Sequence, residues 1–272
     1  MEVPLTDYDK IEAVNWSSLV HLATSAKLME WRRTNPRAET AALRLGTAIH
    51  CATLEPERFA TAYLRQPDFG DGRTKAAKEA KAAWEATRTP GALVMDPDEY
   101  DLAARCSAAV REHSAARDLL RGGLVEEVLT WTDEETGIAC KGRLDYLTPE
   151  YVLDLKSMRA ETVQAFAREI AGRLYHGQIA FYLDGAIASK RVDPLGSQAL
   201  IIGVQTVEPY DVIPCRLMPE DIERGRALYR DLLRRYAEYQ AAGWWPGLAP
   251  SIVNLTLPDW AKGGAAATEG DW

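Results

Sequence analysis

The stretch Gly142–Met158, GRLDYLTPEYVLDLKSM, leaves this chain few ways to fold. It reads as strand, turn, strand: Gly142–Leu147, then Thr148-Pro149-Glu150, then Tyr151–Ser157. Successive side chains of a strand point to opposite faces, so Val152, Asp154 and Lys156 share one face and Leu153 and Leu155 the other. Placing an acid and a lysine on one face of a strand that must also bury two leucines calls for a chemical reason. Asp145 lies across the turn on the partner strand. Two carboxylates and a lysine then converge, an arrangement suited to a divalent cation and an activated water.

The flanking sequence surrounds this hairpin with helices. Asn15 or Ser17 caps a helix over 18–24, and a second helix spans 26–33. Glu39–Glu55 is a strong helix in which Leu43, Gly46, His50 and Thr53 follow one side. Gly46 would allow another element to approach closely. Residues 56–72 read as irregular, 73–87 as an alanine-rich charged helix and 98–121 as one long helix. Leu124–Trp131 is a strand, with Asp133–Gly137 as a hairpin turn and Ile138–Leu147 returning. On it Glu126 and Glu127 face opposite ways, and Glu127 is the preferred additional acid. Helices follow over 160–173 and 174–190, the second carrying Gln178 and Tyr182 four residues apart on one face. Gln198–Thr206, nearly all apolar, is a central strand. A strand over 210–217 and a long helix over 219–242, ended by Gly243, complete the order. Helices and strands in this sequence predict an α/β fold with a mixed sheet.

Composition sets limits. The net charge of −8 excludes a surface basic all over. Local basic clusters remain: Arg32, Arg33, Arg37 and Arg44; Lys75, Lys78 and Lys81; Arg230, Arg234 and Arg235. Cys51, Cys106, Cys140 and Cys215 lack CxxC spacing, as expected of reduced thiols in a cytoplasmic protein and not of an iron–sulfur centre. No apolar run is long enough to span a membrane, and the first residues do not resemble a signal peptide. There is no glycine-rich phosphate loop.

In order, Gly46-x3-His50, Gly142-Arg-x-Asp145, Asp154-x-Lys156 and Gln178-x3-Tyr182 resemble the PD-(D/E)xK nuclease superfamily in its RecB-like branch. The similarity is greatest to the phage-type exonuclease VIII (RecE) nuclease domain. NWSSLVHLATSAKLMEWR and LRLGTAIHCATLEPERF are similar to that group's opening. The resemblance implies a restriction-endonuclease-like core in a single domain over 1–261. Within it, an N-terminal helical region covers 1–122 and the catalytic core 123–245, and a loose tail follows over 262–272. It implies that Asp145, Asp154 and the Leu155 carbonyl hold Mg²⁺, with Mn²⁺ able to substitute, and that His50 is a further ligand or supports one. Lys156 would hold the attacking water, and an ammonium beside a metal can have a lowered pKa and so take a proton. Gln178 and Tyr182 would position the scissile strand or the lysine. An arginine of the first cluster would contact the 5′ phosphate.

The implied activity is processive 5′→3′ digestion of linear double-stranded DNA, leaving 3′ overhangs for recombination. The implied partners are DNA ends, further copies of the chain in a ring, and a single-strand annealing protein, in the cytoplasm of a bacterial or phage-infected cell. Competing readings are a RecB- or Cas4-like enzyme acting on single strands and a non-catalytic DNA-end-binding protein on the same fold.

Overall fold

The computed structural model describes residues 8–36, 38–249, 251–258 and 261. A five-stranded mixed sheet runs through it in the order β3-β4-β5-β6-β7. These strands are β3 (Leu124–Thr132), β4 (Ala139–Leu147), β5 (Tyr151–Met158), β6 (Gln198–Gln205) and β7 (Val212–Arg216). β5 and β6 pair in parallel, and the other neighbours are antiparallel. The helices are α1 (Trp16–Leu19), α2 (Ala26–Thr34), α3 (Ala41–Leu54), α4 (Pro56–Ala62), α5 (Lys75–Thr87), α6 (Pro97–Glu112), α7 (Ser114–Leu119), α8 (Val163–Gly172), α9 (Tyr175–Ala188) and α10 (Pro219–Ala242). The described residues also hold a 3-10 helix, Val20–Ala23, and a two-stranded parallel sheet of β1 (Tyr63–Arg65) and β2 (Leu93–Met95).

Alternation along the strands builds a core on each face. On one side, Leu129, Cys140, Leu144 and Val152 pack under α1, α9 and α10, with Ile179 and Phe181 of α9 and Leu232 and Leu233 of α10. On the other, Leu153 and Leu155 of β5 and Leu200, Ile202 and Val204 of β6 meet Ile49 of α3 and Cys106 and Val110 of α6. α8 covers a smaller patch through Phe166 and Ile170. Each fully buried leucine or isoleucine contributes roughly 1.5–3 kcal/mol. β6 has a neighbour on either side and is buried from Ala199 onward, as its apolar run predicts.

The β4–β5 hairpin is the functional peculiarity. Its ladder holds only Tyr146↔Leu153 and Leu147↔Val152, and then the strands part. The freed edge of β4 is taken by the N-terminal segment. Val14 N–H donates to the Ala139 carbonyl at 2.9 Å, and Lys141 N–H to the Val14 carbonyl at 2.8 Å. Lys141 Nζ ties the same segment down by donating to the carbonyls of Tyr8 (2.8 Å) and Ile11 (3.0 Å).

Several sequence expectations change. Residues 56–72 are not wholly irregular, since Pro56 starts the short helix α4 and β1 follows. The helix expected over 98–121 breaks at His113, whose extended backbone ends α6 and whose Nδ1 accepts from Ala116 N–H to cap α7. Gly46 is not forced by a close approach. A Cβ there would meet only Ser157 Oγ at 3.8 Å, an ordinary contact. The tail over 262–272 lies outside the described residues.

Candidate active site

Where β4 and β5 part, Asp145 finds its place. Its Oδ2 accepts Leu155 N–H at 2.7 Å, a bond that takes up a backbone donor the broken ladder leaves without a strand partner. From the α3 side His50 brings Nδ1 to 3.4 Å from the same oxygen. α3 holds His50 there because its other side is packed: Ala48, Ile49, Cys51 and Ala52 are buried in the core, and Thr40 caps the helix by accepting Leu43 N–H.

Asp154 and Lys156 point to the α9 side, as the alternation on β5 predicts. Lys156 Nζ sits 2.6 Å from Asp154 Oδ2, with only 3% of the aspartate side chain exposed and 15% of the lysine's. The ammonium also lies over the Tyr175 ring, 4.6 Å from its centre. Gln178 Nε2 donates to Asp154 Oδ1 at 3.3 Å and lies 3.4 Å from the Tyr182 hydroxyl. α9 comes close enough for this because glycines line its contacts. A Cβ at Gly142 of β4 would come within 3.0 Å of the Tyr182 ring, and one at Gly225 of α10 within 2.2 Å of the His176 carbonyl.

The expected residues His50, Asp145, Asp154, Lys156, Gln178 and Tyr182 therefore meet in one cleft of about 980 Å³. The additional acid is not Glu127. Its carboxylate is bound to Arg191 at 2.5 Å and does not line the cleft. Glu126 lines it instead. The register Val125↔Tyr146 and Glu127↔Leu144 sets Glu126 opposite Asp145, and Glu126 itself adopts a left-handed backbone, φ 53°. A non-glycine residue in that region is strained, and such strain is concentrated at functional sites. One ligand atom each from His50, Glu126 and Asp145 lie within 4.8 Å of one another. The sequence signal for Glu126 was the hairpin count. The turn runs longer than Asp133–Gly137, with Thr132 pairing Ala139, and that register places Glu126 beside Asp145.

The expected arginines are elsewhere. Arg32, Arg33 and Arg44 do not line the cleft, and Arg37 lies outside the described residues. The cleft's own arginines are Arg58, Arg143, Arg159 and Arg173. Arg143, within the Gly142-Arg-x-Asp145 motif, binds Glu126 at 2.9 Å.

At the buried floor of the cleft Glu126, Asp145 and Asp154 surround the one ammonium of Lys156. Burial first, then repulsion from Asp145, pushes the Asp154 carboxyl up to about 6, against the pull of Lys156. Burial works against the Asp145 carboxylate too, but His50, Lys156 and the Leu155 N–H together hold it below the usual range. Glu126 is raised by burial and by Asp145. With no metal beside it, burial would depress Lys156, yet Asp154 and Asp145 hold it above its ordinary value. A buried surplus of carboxylate, with oxygen donors and one imidazole converging, fits a divalent cation. Asp145, Glu126 and His50 would hold the ion, with Asp154 beside them.

The forked sheet, with acid and lysine on β5 and helices on both faces, defines the PD-(D/E)xK nuclease fold. Residues 17–252 match the family model described as a PDDEXK-like domain of unknown function (DUF3799), and the chain belongs to that family. Among solved structures it is similar to a Eubacterium rectale protein described as a "Putative exonuclease". Identity is 13%, 97% of this chain and 99% of that one are covered, and the TM-score is 0.60. A second, SSO0001, shares 13% identity over 64% of this chain and 82% of its own, with a TM-score of 0.26. No curated protein matches. Among the described residues no helix is long and apolar enough to cross a membrane.

Proposed function

We propose that this chain is a divalent-metal-dependent deoxyribonuclease that digests linear double-stranded DNA from its ends. The observation that carries the reading is the junction of Asp145 and Asp154 with Lys156, in one cleft with His50 and Glu126. A bound Mg²⁺ or Mn²⁺ supplies a water of lowered pKa and a positive centre for the phosphodiester oxygens. The chain's own residues do the rest. Lys156, held protonated, donates to a non-bridging phosphate oxygen and offsets the charge that grows there. Gln178 fixes the Asp154 carboxylate, and Tyr182 backs Gln178. Arg159 and Arg173 at the cleft wall offer guanidinium groups to neighbouring phosphates.

Polarity 5′→3′, processivity, a ring of identical chains and an annealing partner belong to the same proposal, supported by the family resemblance of the four ordered motifs. The test is digestion of end-labelled linear duplex DNA with Mg²⁺, beside closed circles, single strands and the Asp154→Ala variant. Release of 5′ label from linear duplex alone, abolished by the substitution, is the expected result. Cutting of circles would overturn the end-directed reading, and preference for single strands the duplex one. Binding without cleavage in either metal would leave a DNA-end-binding protein.

A further inference from the structure

A second groove, away from the cleft, lies between α2 and the turn after α10. Gly243 ends α10 in a left-handed conformation, φ 62°, and the chain turns back. Trp245 packs on Tyr236 and Tyr239, with ring centres 5.6 and 6.0 Å apart. The Pro246 carbonyl accepts the N–H of Lys27, one of the first-turn donors of α2 that have no partner within the helix. The turn is thus fastened at two points. It presents Trp244 to solvent, 58% exposed, facing a groove of about 500 Å³ that it shares with Trp31, 51% exposed. An indole carries a large apolar area, so two left half-uncovered on a braced scaffold are a costly surface unless something stacks on them.

Of the groove's lining residues Lys27 and Glu30 are charged, and the rest of α2 adds cations beside them. α2 carries Lys27, Arg32 and Arg33 against the single acid Glu30, in a protein with 32 basic and 40 acidic residues. Glu30 is engaged by Arg33 at 3.0 Å. The Arg32 guanidinium lies 4.7 Å from the centre of the Trp31 ring, and its Nε is buried with no hydrogen-bond partner. Neither Lys27 nor Arg32 has an ion pair among the described residues. An apolar protein partner would cover the indoles and strand these cations. A polyanion with flat aromatic units satisfies both.

We propose that Trp31, Trp244 and Lys27 form a shelf for single-stranded DNA, with Arg32 beside it against the Trp31 ring, two bases stacking on the indoles and the intervening phosphates meeting the cations. The proposal deepens the nuclease reading and rests on it only for the origin of the strand, which is the one left unpaired as its complement is removed. One short helical segment joins the two sites, since Ser17 of α1 lines the cleft and α2 the groove.

The test is fluorescence anisotropy of labelled (dT)15 in EDTA at low salt, with the full chain and the variants Trp31→Ala, Trp244→Ala, the double change and the double Trp→Phe. Affinity should fall about tenfold for each indole removed, and phenylalanine should restore most of it. An abasic oligomer of equal length should bind the wild-type chain as weakly as (dT)15 binds the double alanine variant. Unchanged affinity in that variant, or equal affinity for the abasic strand, would overturn the shelf. So would sedimentation showing that the alanine changes dissociate a dimer while oligonucleotide binding persists, because the groove would then be a contact between copies. The measurement needs no cleavage, so an inactive wild-type chain would defeat the nuclease reading and leave this one standing.

Discussion

Asp154→Asn should make the metal-free protein more stable while destroying its activity. The Asp154 carboxyl moves from 3.8 to about 6 because it is buried and faces Asp145. At about 1.4 kcal/mol per pKa unit, keeping it ionised at pH 7 costs the metal-free fold about 3 kcal/mol. The side chain is 3% exposed, so solvent screening takes little from that figure. The sign follows from the raised value. The group's favourable contribution is complete below pH 3.8, declines from there and is lost as pH rises through about 6. That value already includes the pull of Lys156, so the expected net gain is up to about 3 kcal/mol. Urea unfolding at pH 7 in EDTA measures it. Adding Mg²⁺ should stabilise the wild type and shift the variant far less, because binding to the native state raises stability by mass action. In EDTA the gap between the two proteins should close toward pH 4. A variant less stable than the wild type in EDTA at pH 7 would refute the reasoning. It would mean that the Asp154–Lys156 pair outweighs the burial and repulsion it sits in.

Exchanging the two neighbouring glutamates should separate their roles. Glu126→Gln should weaken Mg²⁺ binding about tenfold or more by calorimetry, whereas Glu127→Gln, which loses only its Arg191 pair, should leave it within about twofold. Lys156→Met should lower the cleavage rate at least about a hundredfold while metal-dependent stabilisation in a melting assay persists, since the lysine touches the phosphate and not the ion. Gly225→Ala should destabilise the fold by about 3 kcal/mol in urea titration, because its Cβ would stand 2.2 Å from the His176 carbonyl, a backbone atom with nowhere to go.

Residues whose role follows from strand alternation were legible in the sequence. Asp154 and Lys156 face α9, and Leu153 and Leu155 face α3 and α6, because a period of two admits no other arrangement once β5 is buried on both sides. His50, Gln178 and Tyr182 were found by the order of the motifs and lie where that order implies. What stayed hidden depends on long-range register or on backbone strain. Glu126 needed the exact hairpin count and a positive φ that no local propensity announces. The three-residue strands β1 and β2 are too short to show a period, and each exists because of the other. The parting of β4 from β5 is likewise invisible locally. The sequence reads as a continuous hairpin, and only the N-terminal segment on β4 and Asp145 on the Leu155 N–H make the opening tenable.

The parallel pairing of β5 with β6 carries a consequence for the order of events as the chain folds. Antiparallel β4 and β5 can meet early, being joined by a tight turn. The β5–β6 ladder must wait for α8 and α9 to be made and laid across the sheet, and Asp145 waits further for His50, which lies far upstream on α3. Contacts so distant in sequence close late, after the entropy of the intervening loops has been spent. A nascent or half-folded chain therefore has its carboxylates and its lysine but no assembled centre. Hydrolytic competence arrives with the last long-range contacts, and local unfolding at the fork would switch it off before the rest of the fold is lost.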